Sequence, residues 1–284
     1  MKWLLSLALA GVAANAEAQC SPPGNTHEAR LLAFYEAPLV FSLVSAPAPV
    51  PMGAVTLGAE AGNVPSPSAE IQRPEYCYQP HTEHTSLTPA FGRPRLTVGL
   101  PAGFALEASY LPSVPVGGAT PNLASVAIAR PMSLAIGARE VTLALRAHGT
   151  FGMVRGAITC PASALQTADA TAPCYATRPS HDTFYPGMFG TEGAVAVRDR
   201  GGRLSFYAGG GITWLHPRFR VGFTDASGTV DATEVLADLR RGSTFGGVTL
   251  RATDLIQLSA QAYSVPRDVT TVRVAIEYRL RGWR

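Results

Sequence analysis

The chain has 284 residues, of which 46% are hydrophobic and 15% are charged, so it has enough apolar material for a large folded core and is unlike a disordered protein. A formal net charge of +3 gives no indication of a nucleic-acid-binding protein. The 28 glycines and 23 prolines argue against a helical bundle and favour many short strands joined by turns.

The N-terminus has the features of a secretory signal peptide. Lys2 supplies a positive charge, residues 3–10 form an apolar run, and Ala16-Glu17-Ala18 is a small-x-small cleavage site. We therefore predict export, with cleavage after Ala18. No later segment has the pattern of a membrane helix, because prolines interrupt the long uncharged stretch at residues 37–59.

The leader that follows the signal peptide is turn-rich at first and then helix-like. Residues 27–43 are predicted to form a short helix, which Pro38 interrupts. Its approximate apolar stripe consists of Leu31, Leu32, Tyr35, Leu39 and Leu43.

From Gly53 onward the sequence predicts about ten strands, an even number of the kind that single-chain bacterial barrels use. They are residues 53–61, 94–100, 104–111, 122–130, 140–154, 187–198, 203–224, 229–249, 254–264 and 270–281.

The last of these strands shows the clearest alternation between two faces. One face is apolar and consists of Val272, Val274, Ile276, Tyr278 and Leu280. The other is mainly charged and consists of Arg273, Ala275, Glu277, Arg279 and Arg281. In an outer-membrane barrel the first face would contact lipid and the second would line the lumen, whereas in a soluble sandwich the charged face would contact water.

Link lengths alternate along the chain, as they do in outer-membrane barrels, where short periplasmic turns alternate with longer extracellular loops. The long links are residues 62–93, 112–121 and 155–186. The short links are residues 101–103, 199–202 and 252–253, with a modest link around Met132-Ser133-Leu134. Two links on the long side, 225–228 and 266–268, are short exceptions. A soluble sandwich has no reason to sort link lengths in this way, so the alternation favours a barrel.

Two strands depart from simple alternation. The segment Tyr207–Ile212 resembles the glycine-rich strands of small outer-membrane barrels, where glycine lets strongly coiled strands pass close together. In the eighth predicted strand Leu239 and Phe245 share a face with Arg241, which indicates either a bulge or a hairpin that stands above the membrane.

The leader also carries a family resemblance. The segment from Ala33 to Leu39, followed by the strand-like Gly53–Glu60, resembles the start of the long-chain fatty-acid transporter family. The resemblance implies an N-terminal segment that plugs the barrel before its first strand. The family's Asn-Pro-Ala-Gly-Leu element is not reproduced here.

Alternation places charges of both signs on the inward faces of the predicted strands. The inward set consists of Glu60, Arg95, Glu107, Arg146, His148, Glu192, Arg198, Tyr207, Gln257, Gln261, Arg273, Glu277 and Arg279. A barrel of about ten strands has a narrow interior, in which unpaired charges would be costly. We expect these side chains to pair with one another, fill the lumen and block passage; the alternative is a narrow or gated channel.

Four cysteines in an exported protein favour disulfides. Cys160 and Cys174 lie in one long link and are predicted to pair, with a contribution of about 3 kcal/mol from loop closure. Cys20 and Cys77 are the remaining pair, but their bridge requires the leader to reach the outer side; the alternative is that Cys77 is free or pairs elsewhere.

Other chemical sites have weaker patterns. Cys77, His81 and His84 have a spacing that could bind zinc, but no fourth ligand is clearly placed and an oxidised Cys77 would not serve. His181-Asp182 and Asp225 lie in outer links, as do catalytic residues of surface proteases built on ten-stranded barrels. No phosphate loop, nucleophile elbow or dinucleotide fingerprint is present, so no cofactor is expected.

The sequence therefore predicts an all-β fold: a closed antiparallel transmembrane barrel of about ten strands, with roughly eight to twelve as the range. The predicted parts are a signal peptide at 1–18, a leader at 19–52 that acts as a short helix or plug, and the barrel at 53–284. The predicted function is a structural barrel or narrow passive channel of the outer membrane, without catalysis, whose partners are membrane lipid and small solutes. Alternatives are a carrier for small hydrophobic molecules, a surface hydrolase and a soluble secreted β protein.

Overall fold

The computed structural model describes residues 18–77, 90–136 and 139–281. The predicted signal peptide therefore lies outside the described residues except for Ala18. Among the described residues, no helix has the length and apolar character needed to span a membrane.

The regular secondary structure of the described chain is almost entirely β, with one helix, α1 (His27–Glu36), and short 3-10 turns at Ala37–Leu39 and Pro101–Gly103. The strands are β1 (Gln19–Cys20), β2 (Val55–Asn63), β3 (Ala90–Gly99), β4 (Ala105–Leu111), β5 (Ala119–Ile136), β6 (Arg139–Gly156), β7 (Asp182–Tyr185), β8 (Met188–Arg198), β9 (Leu204–Leu215), β10 (Arg218–Arg220), β11 (Phe223–Thr224), β12 (Val230–Asp231), β13 (Glu234–Leu236), β14 (Leu239–Arg251), β15 (Ile256–Val265) and β16 (Val269–Arg281).

Ten of these strands form a closed antiparallel barrel. The order around the wall is β2, β3, β4, β5, β6, β8, β9, β14, β15 and β16. The ring closes where β16 pairs with β2, for example at Val274 opposite Ala61. Closure leaves no free edge along the wall, so every barrel strand has two hydrogen-bonding neighbours. The predicted fold class is confirmed, and each predicted strand overlaps one barrel strand.

The prediction of a link around Met132-Ser133-Leu134 was wrong. These residues lie inside β5, which continues to Ile136 and pairs there with Arg139 of β6. Burial does not alternate along this extension, because residues 132–136 are all exposed, with Met132 and Leu134 at 41% and 50%. The connection between β5 and β6 is therefore very short.

The two long strands predicted at 203–224 and 229–249 each divide into a barrel part and an outer part. β9 leaves the barrel wall at Leu215 and β14 enters it at Leu239. Between them, β10 to β13 form a hairpin whose turn is the predicted 225–228 segment. The link between β9 and β14 thus spans residues 216–238, and one of the two apparent exceptions to the alternation of link lengths disappears.

A small sheet extends the barrel at the end that carries the long links. Near Val154 strand β6 pairs with β7 instead of β8, and the sheet continues from β7 through β10 and β13 to β1. β1 runs parallel to β13, with Gln19 opposite Glu234. The start of the leader therefore lies at the long-link end of the barrel.

From that end the leader passes through the lumen. The Oγ1 of Thr26 caps α1 by accepting a hydrogen bond from the Ala29 backbone N–H (3.4 Å). After α1 and the 3-10 turn that contains Pro38, the chain has no regular secondary structure until β2, at the short-link end. The prediction of a helix up to residue 43 was therefore too long, because Leu43 lies in this irregular segment.

The two faces of the wall differ as a lipid-facing barrel requires. On β16, Arg273 is 0% exposed and points inward, whereas Ile276 is 48% exposed and points outward. Large apolar side chains exposed elsewhere on the barrel strands include Leu57, Leu96, Leu106, Val126, Ile128, Leu143, Leu145, Phe151, Phe189, Val195, Phe206, Leu250 and Leu258. A continuous outward apolar surface on a closed barrel is the arrangement that contacts lipid.

Candidate functional site

The centre of the lumen is occupied by Phe41 from the leader. Its side chain is completely buried. The guanidinium carbons of Arg93, Arg95 and Arg146 lie 4.9, 4.2 and 5.0 Å from the ring centroid. Cations held over an aromatic ring in a desolvated site interact favourably with its π-system. The leader thus contributes the group around which the arginines of the wall are arranged.

Carboxylates of the wall pair with the same arginines. Glu60 accepts hydrogen bonds from Arg93 (3.0 and 3.1 Å) and Arg95 (2.5 Å). Arg95 also donates to Glu107 at 2.8 Å. Arg146 then joins Glu107 to Glu192, with its nitrogens 3.0 and 2.9 Å from the two carboxylates. Cations and anions therefore alternate across the lumen, as buried charges require.

The arginines also bind the backbone of the leader. Arg93 donates to the carbonyl oxygens of Leu39 and Val40 (3.1 and 2.9 Å), and Arg95 donates twice to that of Ser42 (3.1 Å each). An irregular buried segment has no neighbouring strand to satisfy its carbonyls, so side chains of the wall must do so. The lumen therefore holds an extended peptide, and the wall charges pair both with one another and with that peptide.

Further contacts come from wall residues that the alternation placed inward. Gln261 donates to the Leu43 carbonyl oxygen (2.6 Å), and the Tyr207 hydroxyl donates to that of Val44 (2.8 Å). Arg273 donates to the backbone carbonyl of Ala37 at 2.9 Å. These hydrogen bonds hold the leader at further points along its path through the barrel.

The other predicted lumen residues have different partners. Glu277 accepts from Ser45 (2.9 Å) and Gln257 (3.3 Å), and no salt bridge to it is found within the described part of the chain. Arg198 pairs with Glu140 at 2.7 Å toward the short-link end. His148 and Arg279 are buried, 6% and 7% exposed. The structure thus gathers part of the predicted set at Phe41 and leaves the rest outside that centre.

The residues that meet at the centre of the lumen form the central cluster: Phe41, Glu60, Arg93, Arg95, Glu107, Arg146 and Glu192. Two of them were not identified from the sequence. Arg93 lies two residues before Arg95 on the same face of β3, but the strand was predicted to begin only at residue 94. Extending the alternation by one step would have found it. Phe41 had no comparable signal, because nothing in an irregular apolar segment specifies which side chain reaches the centre of a barrel.

Glycines of the wall make room for large inward side chains. A Cβ at Gly209 would lie 2.5 Å from the ring of Phe245, and one at Gly247 would lie 2.7 Å from the ring of Tyr207. Phe245 in turn stacks near Tyr263, with ring centroids 6.5 Å apart. This explains the irregular pattern of the eighth predicted strand, because Leu239 and Phe245 face inward and belong to the same buried apolar cluster as residues of the leader.

Both disulfides are present. Cys160 is bonded to Cys174 within the long link between β6 and β7. Cys20 is bonded to Cys77, which ties the start of the leader to the link after β2. The leader reaches the long-link end, as that second bridge requires.

Beside α1 at the same end lies a cavity of about 240 Å³. Its wall is almost wholly apolar and combines α1 with the ends of β3, β5, β6 and β7 and the link after β2. Representative lining residues are Leu31, Tyr35, Phe91, Leu123 and Phe184. The cavity is larger than the ~150 Å³ apolar cavity that is known to accept benzene in another protein.

Glu28 is the one charged residue among the described residues that line this cavity. Its Oε1 accepts hydrogen bonds from the backbone N–H groups of Glu75, Tyr76 and Cys77 (2.9, 2.6 and 2.8 Å). Burial disfavours the charged carboxylate, but the N–H donors of Cys77, Tyr76 and Glu75 outweigh that effect and lower the pKa of Glu28 below its ordinary value. Its Oε2 is buried and has no hydrogen-bond partner among the described residues.

Two residues that were considered for catalysis or metal binding, Asp182 and Cys77, have structural roles. Asp182 is fully buried and accepts from the backbone N–H groups of Ile158 and Thr159 and from the Ser180 hydroxyl (2.8, 2.7 and 2.7 Å). Cys77 is oxidised, while His81 and His84 lie outside the described residues. Across the described ranges, no three histidine, cysteine or acidic side chains converge on a metal site.

The closed strand order, the apolar outer surface and the filled polar interior define an outer-membrane β-barrel. No protein-family model matches the sequence, and no curated protein matches it. Among solved structures, the chain is similar to Ail, the attachment invasion locus protein of Yersinia pestis, with 8% identity, a TM-score of 0.28, and coverage of 81% of this chain and 99% of that chain.

It is also similar to neisserial surface protein A, with 10% identity, a TM-score of 0.28, and coverage of 81% and 99%. A third similar structure is the transport unit of the autotransporter AIDA-I from Escherichia coli, with 10% identity, a TM-score of 0.29, and coverage of 90% and 99%. The assignment of the fold rests on the strand pairings and the two faces of the wall.

Proposed function

We propose that this protein is an outer-membrane barrel whose lumen is closed by its own leader, so that it does not conduct at rest. The long-link end faces outward and the short turns face the periplasm, as in other bacterial barrels. The observation that carries the proposal is the position of Phe41, fully buried between three arginines of the wall. A structural role is favoured over a passive channel because the peptide occupies the space that a solute would need.

Single-channel recording in planar bilayers tests this closure. The wild-type barrel is expected to show no steady conductance. Phe41→Ala removes the central ring and should produce a measurable leak, whereas Met52→Ala, at a position 74% exposed, should remain closed. A large and steady wild-type conductance would overturn the proposal, because it would show that the charged side chains line an open pore.

A second function is favoured by the apolar cavity beside α1. We propose that this cavity binds a small, mainly apolar molecule at the outer end of the barrel. Val116 in its wall is 56% exposed, so the cavity reaches the surface at that point. This role agrees with the predicted alternative of a carrier for small hydrophobic molecules. A hydrolase is disfavoured because the hydrogen bonds of Asp182 are already used within the outer links.

Binding of propylbenzene to the barrel in lipid nanodiscs tests the cavity, with empty nanodiscs as the correction for partitioning. Ala119→Phe would fill the cavity from β5, because Ala119 lines it and is 9% exposed. Ala124→Phe introduces the same ring on the opposite face of β5 and serves as the control. Saturable binding lost only in Ala119→Phe supports the proposal, and equal uptake by all three proteins contradicts it.

A further inference from the structure

The cavity beside α1 contains one polar feature that its apolar lining does not explain. Glu28 is 7% exposed, and its Oε1 is fixed by three backbone N–H groups, while its Oε2 has no partner among the described residues. A buried carboxylate oxygen without a hydrogen bond is costly, so such groups are normally satisfied by protein, water or ligand. The carboxylate cannot turn to find another partner without losing the three bonds that hold it.

We propose that the cavity binds a small amphipathic molecule whose apolar body fills the space beside α1 and whose amine or hydroxyl group donates a hydrogen bond to Oε2 of Glu28. This inference rests on the proposed binding function of the cavity and specifies its ligand class. Both oxygens of the carboxylate are then satisfied, one by the backbone of the link after β2 and the other by the ligand. A protonated amine adds charge complementarity to the same contact.

The same geometry disfavours carboxylic acids. An ionised ligand carboxylate beside Glu28 would place two anions together in an apolar environment, where like charges repel strongly. No other charged residue lines the cavity within the described part of the chain, so no cation there would offset the repulsion. The ligand class is therefore the opposite of a fatty acid, which the resemblance of the leader would suggest.

Four probes with similar apolar bodies test the inference: propylbenzene, 2-phenylethanol, 2-phenylethylamine and 3-phenylpropanoate. The wild-type barrel in nanodiscs should bind the amine at least about tenfold more tightly than propylbenzene, with the alcohol between them, because a hydrogen bond to a charged group is stronger than one between neutral groups. The carboxylate probe should bind most weakly.

Glu28→Gln is the decisive variant, because it keeps the side-chain shape and replaces the free oxygen with an N–H donor. The advantage of the amine over propylbenzene should fall by about tenfold, and binding of 3-phenylpropanoate should improve. Glu70→Gln changes an exposed carboxylate in the same link after β2, with a side chain 64% exposed, and should leave all four affinities unchanged.

The outcomes separate the two proposals. If no probe binds saturably, or if Ala119→Phe has no effect on any of them, the cavity is not a binding site and the proposed binding function fails. If propylbenzene binds but the amine has no advantage, or keeps its advantage in Glu28→Gln, the cavity binds apolar molecules and the assignment of Glu28 is overturned. Migration of unboiled protein on a detergent gel shows whether each variant is folded.

Discussion

Glu60 is the carboxylate on which the arginines of the lumen converge. Arg93 and Arg95 donate to it directly, and a nitrogen of Arg273 lies 3.7 Å from its Oε1. The Glu60 side chain is completely buried. Without it, Arg93, Arg95 and Arg273 would face one another with fewer anions to neutralise them. The central cluster therefore depends more on this anion than on any charge at its margins.

We expect Glu60→Ala to destabilise the barrel by about 3–5 kcal/mol, the cost of leaving buried charges unpaired. Glu140→Ala is the matched control, because it also breaks a carboxylate–arginine pair, but one whose side chains are 41% and 27% exposed. That loss should be about 0–1 kcal/mol. Urea unfolding in lipid vesicles measures both, and equal losses would contradict the central role of Glu60.

Glu277 is another carboxylate that the sequence placed inward, and the structure shows why it is a weaker choice for this experiment. Glu277 is bonded to Ser45 and Gln257. Its removal would leave a hydroxyl and an amide without a partner instead of an arginine. Alternation could place Glu277 inward, but it could not rank the inward charges, because their partners depend on neighbouring strands and on the leader.

Glu36, at the end of α1, is buried without a compensating bond. It is 0% exposed, and neither carboxylate oxygen has a hydrogen-bond partner among the described residues. Burial raises the pKa of Glu36 well above its ordinary value, although the charge of Arg218 acts in the opposite direction. Folding therefore shifts the protonation equilibrium of this carboxyl group toward its neutral form.

The stability of the leader should consequently depend on pH. A raised folded pKa means that the contribution from Glu36 is complete below its unfolded pKa and is lost as the pH rises toward the folded pKa. Glu36→Gln should therefore be more stable than the wild type at pH 8 and equally stable at pH 4. Urea unfolding at the two pH values, with Glu70→Gln as an exposed control, checks this. A constant difference between wild type and variant would contradict it.

At the scale of the element, β16 gives the sharpest contrast between the two faces of the wall. Ala275 is 6% exposed and faces the lumen, while its neighbour Ile276 is 48% exposed and faces outward. The strand that closes the ring, against β2 on one side and β15 on the other, thus carries a lipid-facing and a lumen-facing residue at adjacent positions.

Ile276→Arg should cost about 2–4 kcal/mol, because it places a charge in the apolar band of the membrane. Ala275→Ser adds a small hydroxyl on the lumen face and should have a mild effect. Folding yield and unfolding free energy in bilayers distinguish the two variants. Equal values would mean that the faces of β16 are reversed.

Strands were predictable from the sequence, whereas the path of the leader's irregular segment and its contacts in the lumen were not. A barrel strand has a local signal, since each outward residue meets lipid whatever its neighbours are. The path of residues 40–52 has no such periodicity, because its partners are arginines distant along the chain. The outer hairpin of β10 to β13 shows the same limit. Its strands continue the pattern of β9 and β14, so the sequence did not reveal where the barrel wall ends.

At the scale of the whole molecule, both ends of the leader are fixed at opposite ends of the barrel. Gln19 pairs with β13 beyond the long-link end, and Gly53 donates to the carbonyl oxygen of Gly99 (2.9 Å) at the short-link end. In the proposed orientation, the residue that follows the predicted signal-peptide cleavage site is therefore on the outside of the cell, although the first barrel strand begins on the periplasmic side.

An epitope inserted between Ala18 and Gln19 should be detected by antibody on intact cells. The same epitope inserted after Gly201, in the turn between β8 and β9, should be detected only after the outer membrane is permeabilised. Both inserts lie in exposed chain outside the wall, so both proteins should fold. Labelling of the second epitope on intact cells, without labelling of the first, would reverse the orientation.

The bond between Cys20 and Cys77 closes a covalent ring from residues 57 apart in the chain. One half of this ring is the leader, which descends through the lumen, and the other half includes β2, which returns as part of the wall. While both the bond and the wall are intact, the leader can be withdrawn from neither end of the barrel. Any opening must then come from local rearrangement around Phe41. If the disulfide forms first, the leader can occupy the lumen only if it is already inside when β16 pairs with β2 and closes the barrel.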